Sequence, residues 1–83
     1  MSDPYIAGID AGSAYTKGVL LQGETLVAFH ILPSGANHPQ AAERILRELL
    51  DQANLGQEQL HKIIATGLGA GRIPFAHAQV TEI

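Results

Sequence analysis

The sequence has 83 residues, a net charge of −3 and no cysteine. It is shorter than a common domain of ~100–150 residues, so the chain is one domain or part of one. The bases form no cluster, which argues against a nucleic-acid partner. Without cysteine there is no disulfide and no thiolate ligand. No apolar run approaches the ~20 residues of a membrane span, and the first residues do not resemble a signal peptide. We therefore expect a cytoplasmic protein without a membrane partner.

The first part of the chain predicts three strands, over residues 5–10, 15–21 and 24–32. The first is apolar on both faces, which is typical of a central strand. Small residues at 12–14 predict a tight turn, and Gln22-Gly23 predicts a hairpin turn with Gly23 at positive φ. On the third strand we expect Leu26, Ala28 and Leu32 on one face and Val27, Phe29 and Ile31 on the other.

A helix and two further strands follow. Residues 33–36 are expected to end the sheet, and Asn37 with Gln40 forms a capping-box pair for a helix that runs to about Ala53. An apolar stripe at helical spacing should pack on the sheet; it comprises Ala42, Ile45, Leu46, Leu49, Leu50 and Ala53. We expect a short turn over residues 57–60, a parallel strand over 62–66, a glycine-rich loop over 67–72 and a last strand over 79–81.

The predicted order is strand, strand, strand, helix, strand, strand. Three antiparallel strands followed by a crossover helix and a parallel strand open a ribonuclease H-like α/β half-domain. The remaining helices and strand of that fold are absent from these residues. The fold class predicted from the pattern is therefore an incomplete ribonuclease H-like half-domain over residues 1–83.

The stretch from Asp10 to Lys17 carries the chemistry. A carboxylate at the end of a buried strand can hold a hydrated magnesium ion, and the amides of the following small-residue turn can bind phosphate oxygens. Ser13 and Thr16 can add hydrogen bonds, and Lys17 can offset phosphate charge. A plain hairpin, with Asp10 and Ser13 bonded to their own backbone, explains the spacing equally well.

Other motifs are weaker. A strand follows the first loop, whereas a Walker A loop precedes a helix, and Arg72 stands where a dinucleotide fingerprint needs its third glycine. The glycine-rich loop could approach a nucleotide or could be a bend without a ligand. The histidines lie far apart, which argues against a metal site, and Ser13 lacks the surroundings of a hydrolase nucleophile.

Three segments together resemble the BadF/BadG/BcrA/BcrD ATPases, which activate 2-hydroxyacyl-CoA dehydratases and benzoyl-CoA reductases. They are G-I-D-A-G-S-A-Y-T-K-G-V-L-L at residues 8–21, I-A-T-G-L-G at 64–69, and P-F-A followed by V-T-E-I at 74–83. The first motif is shared with the wider group of sugar kinases, actin and chaperone ATPases. The order of all three is specific to the activators, although an apparent two-residue insertion follows Leu68.

The resemblance implies an ATPase with an actin-like fold. Asp10 would be the catalytic ligand of magnesium through water, the backbone of Gly12, Ser13 and Ala14 would bind the phosphates of ATP or ADP, and Lys17 would face them with Thr16 in support. The family couples ATP hydrolysis to electron transfer from an iron–sulfur cluster that bridges two subunits. This chain has no cysteine to hold such a cluster.

The resemblance also implies that the second phosphate loop and the adenosine pocket come from sequence beyond this chain. We therefore expect an N-terminal fragment or truncated member, active as part of a complete protein and inactive alone. Two alternatives stay open: the N-terminal lobe of a sugar or acyl kinase of the same superfamily, and a non-enzymatic module that associates with itself, for instance as a homodimer.

Overall fold

The computed structural model of the chain describes residues 3–67 and the strand Ala78–Val80. The elements in order are β1 (Tyr5–Ala11), β2 (Tyr15–Gln22), β3 (Thr25–Pro33), helix α1 (His38–Ala53), a short 3-10 helix (Gln57–Gln59), β4 (Leu60–Thr66) and β5 (Ala78–Val80). The predicted order of elements is confirmed. The glycine-rich loop beyond Gly67 and the motif residues 74–76 and 81–83 lie outside the described residues.

The five strands form one sheet in the order β3-β2-β1-β4-β5. The pairs β1–β2 and β2–β3 are antiparallel, and the pairs β1–β4 and β4–β5 are parallel. β1 is thus the central strand, as its apolar sequence predicts. A three-stranded meander joined through a helix to parallel strands agrees with the predicted fold class.

Helix α1 packs on one face of the sheet and makes the core. Asn37 accepts a hydrogen bond from the Gln40 amide (3.0 Å) as the predicted N-cap, and Asn54 ends the helix in the left-handed conformation at φ 57°. The buried cluster joins one side of each of β1 to β4 to the apolar stripe of α1; it comprises Ala7, Ile9, Ala11, Leu20, Ala28, Ala42, Ile45, Leu46, Leu49, Leu50, Ile63 and Ala65.

The close approach of α1 to the sheet depends on Gly18 in β2. A β-carbon at this position would overlap Ile45 Cγ2 and lie 3.0 Å from Leu49 Cδ1. Because both of those side chains are fully buried, they can move aside only by changing rotamer within the packed core. The absence of a side chain at Gly18 therefore lets the helix lie against β2.

Among the described residues, no secondary structure covers the second face of the sheet, which we call the open face. Large apolar side chains are exposed there on β2 and β3, such as Val19 and Phe29, the latter 60% exposed. Within the same described residues, no helix is long and apolar enough to cross a membrane.

Two details of β3 differ from the sequence-based expectation. Leu26 pairs with Leu21 after a register shift in β2–β3 and is 57% exposed, so it does not share the buried face of Ala28. A bulge shifts the alternation of side chains by one residue, which the sequence pattern alone does not reveal. β3 also includes Pro33, which pairs with Tyr15; an edge strand tolerates proline because its outer amide needs no partner.

Candidate functional site

Asp10, Lys17 and Thr66 meet on the open face at one end of the sheet. Asp10 pairs with Lys17 across the antiparallel β1–β2 ladder and with Thr66 across the parallel β1–β4 ladder. Cross-strand partners point to the same face. The three side chains therefore lie side by side next to the turn that follows β1, as the sequence predicts for Asp10 and Lys17.

A shallow depression of about 470 Å³ extends from these residues along the open face. Its floor is made by small and aliphatic residues, among them Gly8, Val19 and Ile64. Asp10, Lys17 and Thr66 border it at its turn end, but nearly all of its lining surface is apolar. The depression therefore suits the less polar part of a ligand, while the charges of Asp10 and Lys17 lie at its turn end.

The two charged groups are available to a ligand. In the described part of the chain, neither the Asp10 carboxylate nor the Lys17 ammonium makes a side-chain hydrogen bond, and the sole ion pair there joins Arg47 to Glu43. Opposite charges on adjacent strands can thus bind a cation and an anion together, such as a magnesium ion and a phosphate.

The turn after β1 presents two exposed residues, Ser13 and Ala14. The Gly12 amide donates to the Tyr15 carbonyl (3.1 Å) and so closes the turn. No hydrogen bond from the Ser13 or Ala14 amide occurs within residues 3–67 or to the strand Ala78–Val80. Adjacent unpaired amides form a concavity suited to an anion. Of the three predicted phosphate-binding residues, Ser13 and Ala14 therefore offer free amides, whereas the Gly12 amide is already used.

Thr16 has a different position from the one expected. Its side chain is fully buried on the helix-facing side of β2, and its hydroxyl lies 2.8 Å from the Ser34 hydroxyl. Because alternate residues of a strand point to opposite faces, Thr16 points away from the open face that carries Lys17. Its support for the turn is therefore structural, through Ser34.

Sequence reasoning missed Ser34 and His38, whose side chains make hydrogen bonds to the turn. The Ser34 hydroxyl donates to the Gly12 carbonyl (2.6 Å), and His38 Nε2 lies 3.2 Å from the same oxygen. The Ser34 amide also donates to the Ala14 carbonyl (2.9 Å). The only sequence signal for these contacts is that, in a three-stranded meander, the end of β3 returns beside the start of β2.

Gly67, the first residue of the predicted glycine-rich loop, directly follows β4 and lies against Asp10. It adopts φ 92°, and a β-carbon there would lie 2.6 Å from Asp10 Oδ1 and 2.8 Å from the Ala11 carbonyl oxygen. The Asp10 carboxylate thus lies directly against the Gly67 backbone. Only glycine combines this conformation with this contact.

The donor set fits a hydrated magnesium ion that is shared with a phosphate. The described residues contain no group of three or more His, Cys, Asp or Glu side chains that could hold a metal on their own. Magnesium is usually bound through one or two carboxylates, waters and phosphate oxygens, and Asp10 beside free amides supplies the protein part of such a set. An iron–sulfur cluster does not fit, because the chain has no cysteine.

The chain is similar to known dehydratase activators, although no family model matches it. It is 34% identical over 80 residues to the 2-hydroxyisocaproyl-CoA dehydratase activator of Clostridioides difficile, which covers 95% of this chain and 30% of that protein. It is also 34% identical over 82 residues to the activator of lactoyl-CoA dehydratase of Anaerotignum propionicum, with the same coverage. The chain thus spans about 30% of the length of the curated relatives it matches.

Solved structures give the same result. The Clostridium difficile 2-hydroxyisocaproyl-CoA dehydratase activator with bound ADPNP superposes with a TM-score of 0.85 and 33% identity, over 93% of this chain and 29% of that one. Component A of the Acidaminococcus fermentans (R)-2-hydroxyglutaryl-CoA dehydratase superposes with a TM-score of 0.86 and 28% identity, over 95% of this chain and 31% of that one. More distant neighbours, such as a ParM protein at 10% identity and a TM-score of 0.60, share the fold alone. The chain is therefore related, over nearly its whole length, to the N-terminal portion of the 2-hydroxyacyl-CoA dehydratase activators and has the fold of the actin-like ATPases.

Proposed function

We propose that this chain supplies the first phosphate-binding part of an ATP-hydrolysing dehydratase activator. The observation that carries the proposal is the exposed turn with free Ser13 and Ala14 amides between the Asp10 carboxylate and the Lys17 ammonium. The ADPNP in the related activator structure supports a nucleotide as the ligand. The names of the curated relatives support a 2-hydroxyacyl-CoA dehydratase as the partner.

In this proposal each group has one task. Asp10 holds a magnesium ion through water, and Lys17 lies beside the phosphates as a point charge. The Ser13 and Ala14 amides donate to phosphate oxygens, while Thr16 supports the turn from inside. The bound magnesium would neutralise phosphate charge during hydrolysis.

The complete activity requires more residues than this chain contains. The proposed protein drives low-potential electron transfer to a 2-hydroxyacyl-CoA dehydratase or a benzoyl-CoA reductase, with a cluster whose ligands lie elsewhere. The domain proposed for residues 1–83 is accordingly the N-terminal subdomain of an actin-like ATPase domain. The proposed location is the cytoplasm. Association into a homodimer remains a prediction, for which the exposed apolar side chains of the open face are the supporting feature.

The proposal is tested by NMR titration of the ¹⁵N-labelled chain with ADP, with and without magnesium. We expect the Ser13 and Ala14 amide resonances to shift, and we expect Asp10→Asn to remove the effect of magnesium on the affinity. The matched control is Asp51→Asn, which makes the same charge change on the exposed side of α1 and should leave the titration unchanged. Absence of any shift at Ser13 and Ala14 at millimolar ADP would contradict the proposal.

A further test uses a longer protein that contains this sequence. There Asp10→Ala should abolish magnesium-dependent ATP hydrolysis, and unchanged turnover would exclude the assigned role of Asp10. No specific observation favours the kinase alternative, because the relatives at 33–34% identity that carry a functional name are activators.

A further inference from the structure

Ser34, which lies outside the β1–β2 hairpin, makes two hydrogen bonds to the turn that follows β1. Ser34 donates its hydroxyl proton to the Gly12 carbonyl (2.6 Å) and its backbone amide proton to the Ala14 carbonyl (2.9 Å). Ser34 is 4% exposed, so water does not compete well for these bonds. The carbonyls on both sides of Ser13 are therefore directed toward the interior of the protein.

The protons in this network have a defined order. A serine hydroxyl has one proton, and that proton goes to Gly12, so the Thr16 hydroxyl must donate across the 2.8 Å contact to Ser34. Donors in series polarise one another and strengthen the chain of bonds. The series of hydrogen bonds thus runs from Thr16 to Ser34 and ends at the Gly12 carbonyl in the turn.

His38 makes a second side-chain hydrogen bond to the same carbonyl. Its Nε2 lies 3.2 Å from the Gly12 oxygen, and since a carbonyl can only accept, the proton must reside on Nε2. Its Nδ1 is buried and has no hydrogen-bond partner in the described part of the chain. Both lone pairs of the Gly12 carbonyl are thereby satisfied.

The orientation of a carbonyl also determines the orientation of the next amide. In a planar trans peptide, the C=O of one residue and the N–H of the following residue point in opposite directions. With the Gly12 carbonyl directed inward toward Ser34 and His38, the Ser13 N–H is directed outward, to the side where Ser13 is exposed. Rotation of this peptide would bury the donor and lose both bonds to Gly12.

We propose that Ser34 and His38 are positioning residues that aim the Ser13 amide at a nucleotide phosphate. This inference rests on the proposed function, because the phosphate is the ligand that the amide would bind. Neither residue touches the nucleotide; both act through the Gly12–Ser13 peptide. Without them the peptide can rotate, and part of the free energy of binding would be spent on fixing its orientation.

The test compares Ser34→Ala with Ser34→Thr, which keeps the hydroxyl. In Ser34→Ala we expect rotation of the peptide to appear as relaxation dispersion at the Ser13 amide, a measurement that detects microsecond-to-millisecond exchange, and we expect weaker binding of Mg-ADP. The affinity should fall roughly three- to tenfold, the range that loss of one hydrogen bond allows. Ser34→Thr should restore both. A second pair for the same comparison is His38→Leu, which removes the N–H donor, and His38→Gln, which keeps one.

A control separates positioning from general loss of stability. Ile45→Val removes a buried methyl group and so lowers the stability of the core without altering a hydrogen bond to the turn, so the Ser13 amide should show no dispersion. The inference would be overturned by a Ser34→Ala variant whose Ser13 amide shows no relaxation dispersion and whose affinity for Mg-ADP equals that of the wild type. If dispersion appears in Ser34→Ala but the wild-type chain fails to bind Mg-ADP, Ser34 still fixes the orientation of the Gly12–Ser13 peptide, whereas the proposed function, and with it the phosphate as the target of the Ser13 amide, fails.

Discussion

Gly18→Ala is expected to lower the free energy of unfolding by about 1–3 kcal/mol, the usual cost of overpacking a core. The new methyl group would overlap Ile45 Cγ2 and lie 3.0 Å from Leu49 Cδ1. Ordinary contacts between carbon atoms are about 3.5–4.0 Å, so the helix must move away from β2 by roughly 1 Å or the side chains must leave their rotamers. Because α1 covers this face, a displacement there loosens the main contact of the core.

The measurement is equilibrium unfolding in urea, with the thermal midpoint as a second readout; for a chain of this size each kcal/mol corresponds to roughly 4–8 °C. The control is Gly8→Ala on the open side of β1, where the nearest atom to a new β-carbon is Val19 Cγ2 at 3.4 Å. We expect that change to stay within about 0.5 kcal/mol of the wild type, because no atom has to move.

A double-mutant cycle identifies the cause of the loss. In an Ile45→Ala background the clashing Cγ2 is absent, so Gly18→Ala should cost much less than it does in the wild-type chain. The same cost in both backgrounds would refute the steric argument. Equal losses from Gly8→Ala and Gly18→Ala would point instead to a general effect of alanine in these strands.

Two further substitutions are expected to have local effects. Gly67→Ala would combine a positive φ of 92° with a contact of 2.6 Å to Asp10 Oδ1; it should therefore weaken Mg-ADP binding in the titration and destabilise the chain by about 1–3 kcal/mol. Its control is Gly35→Ala, at φ 64° with no atom within 4 Å, which should retain Mg-ADP binding. Asn37→Ala should cost about 1 kcal/mol in urea unfolding through loss of the N-cap, whereas Asn37→Ser should cost a few tenths; equal losses would exclude the cap as the cause.

Much of the fold could be predicted from short-range chemistry. The period of apolar residues identified the strands and α1, Asn37 marked the start of the helix, and Gly23 at φ 60° marked the hairpin turn. These signals are local, because backbone conformation and capping depend on residues close in sequence. The exposed position of Leu26 could not be predicted, since a bulge depends on the pairing of two strands.

The candidate site was predictable to a smaller extent. Asp10 and Lys17 lie on the same face because strand alternation and hairpin register place them opposite each other. Thr16 is predicted with them because its hydroxyl can add a hydrogen bond and the resemblance gives it a supporting role, although strand geometry puts that hydroxyl on the opposite face. Ser34 and His38 are far from the turn in sequence, and no motif connects them to it.

The sequence by itself determined the order of elements, the central place of β1 and the residue types around the phosphate turn. Each of these follows from local propensity and from the spacing of apolar residues. Only the tertiary structure decided that Ser34 and His38 make hydrogen bonds to the Gly12 carbonyl. It also decided that Gly67 lies against Asp10 and that α1 packs closely on β2 at Gly18. Those contacts join segments that are distant in sequence, and they exist only once the sheet and α1 have packed together.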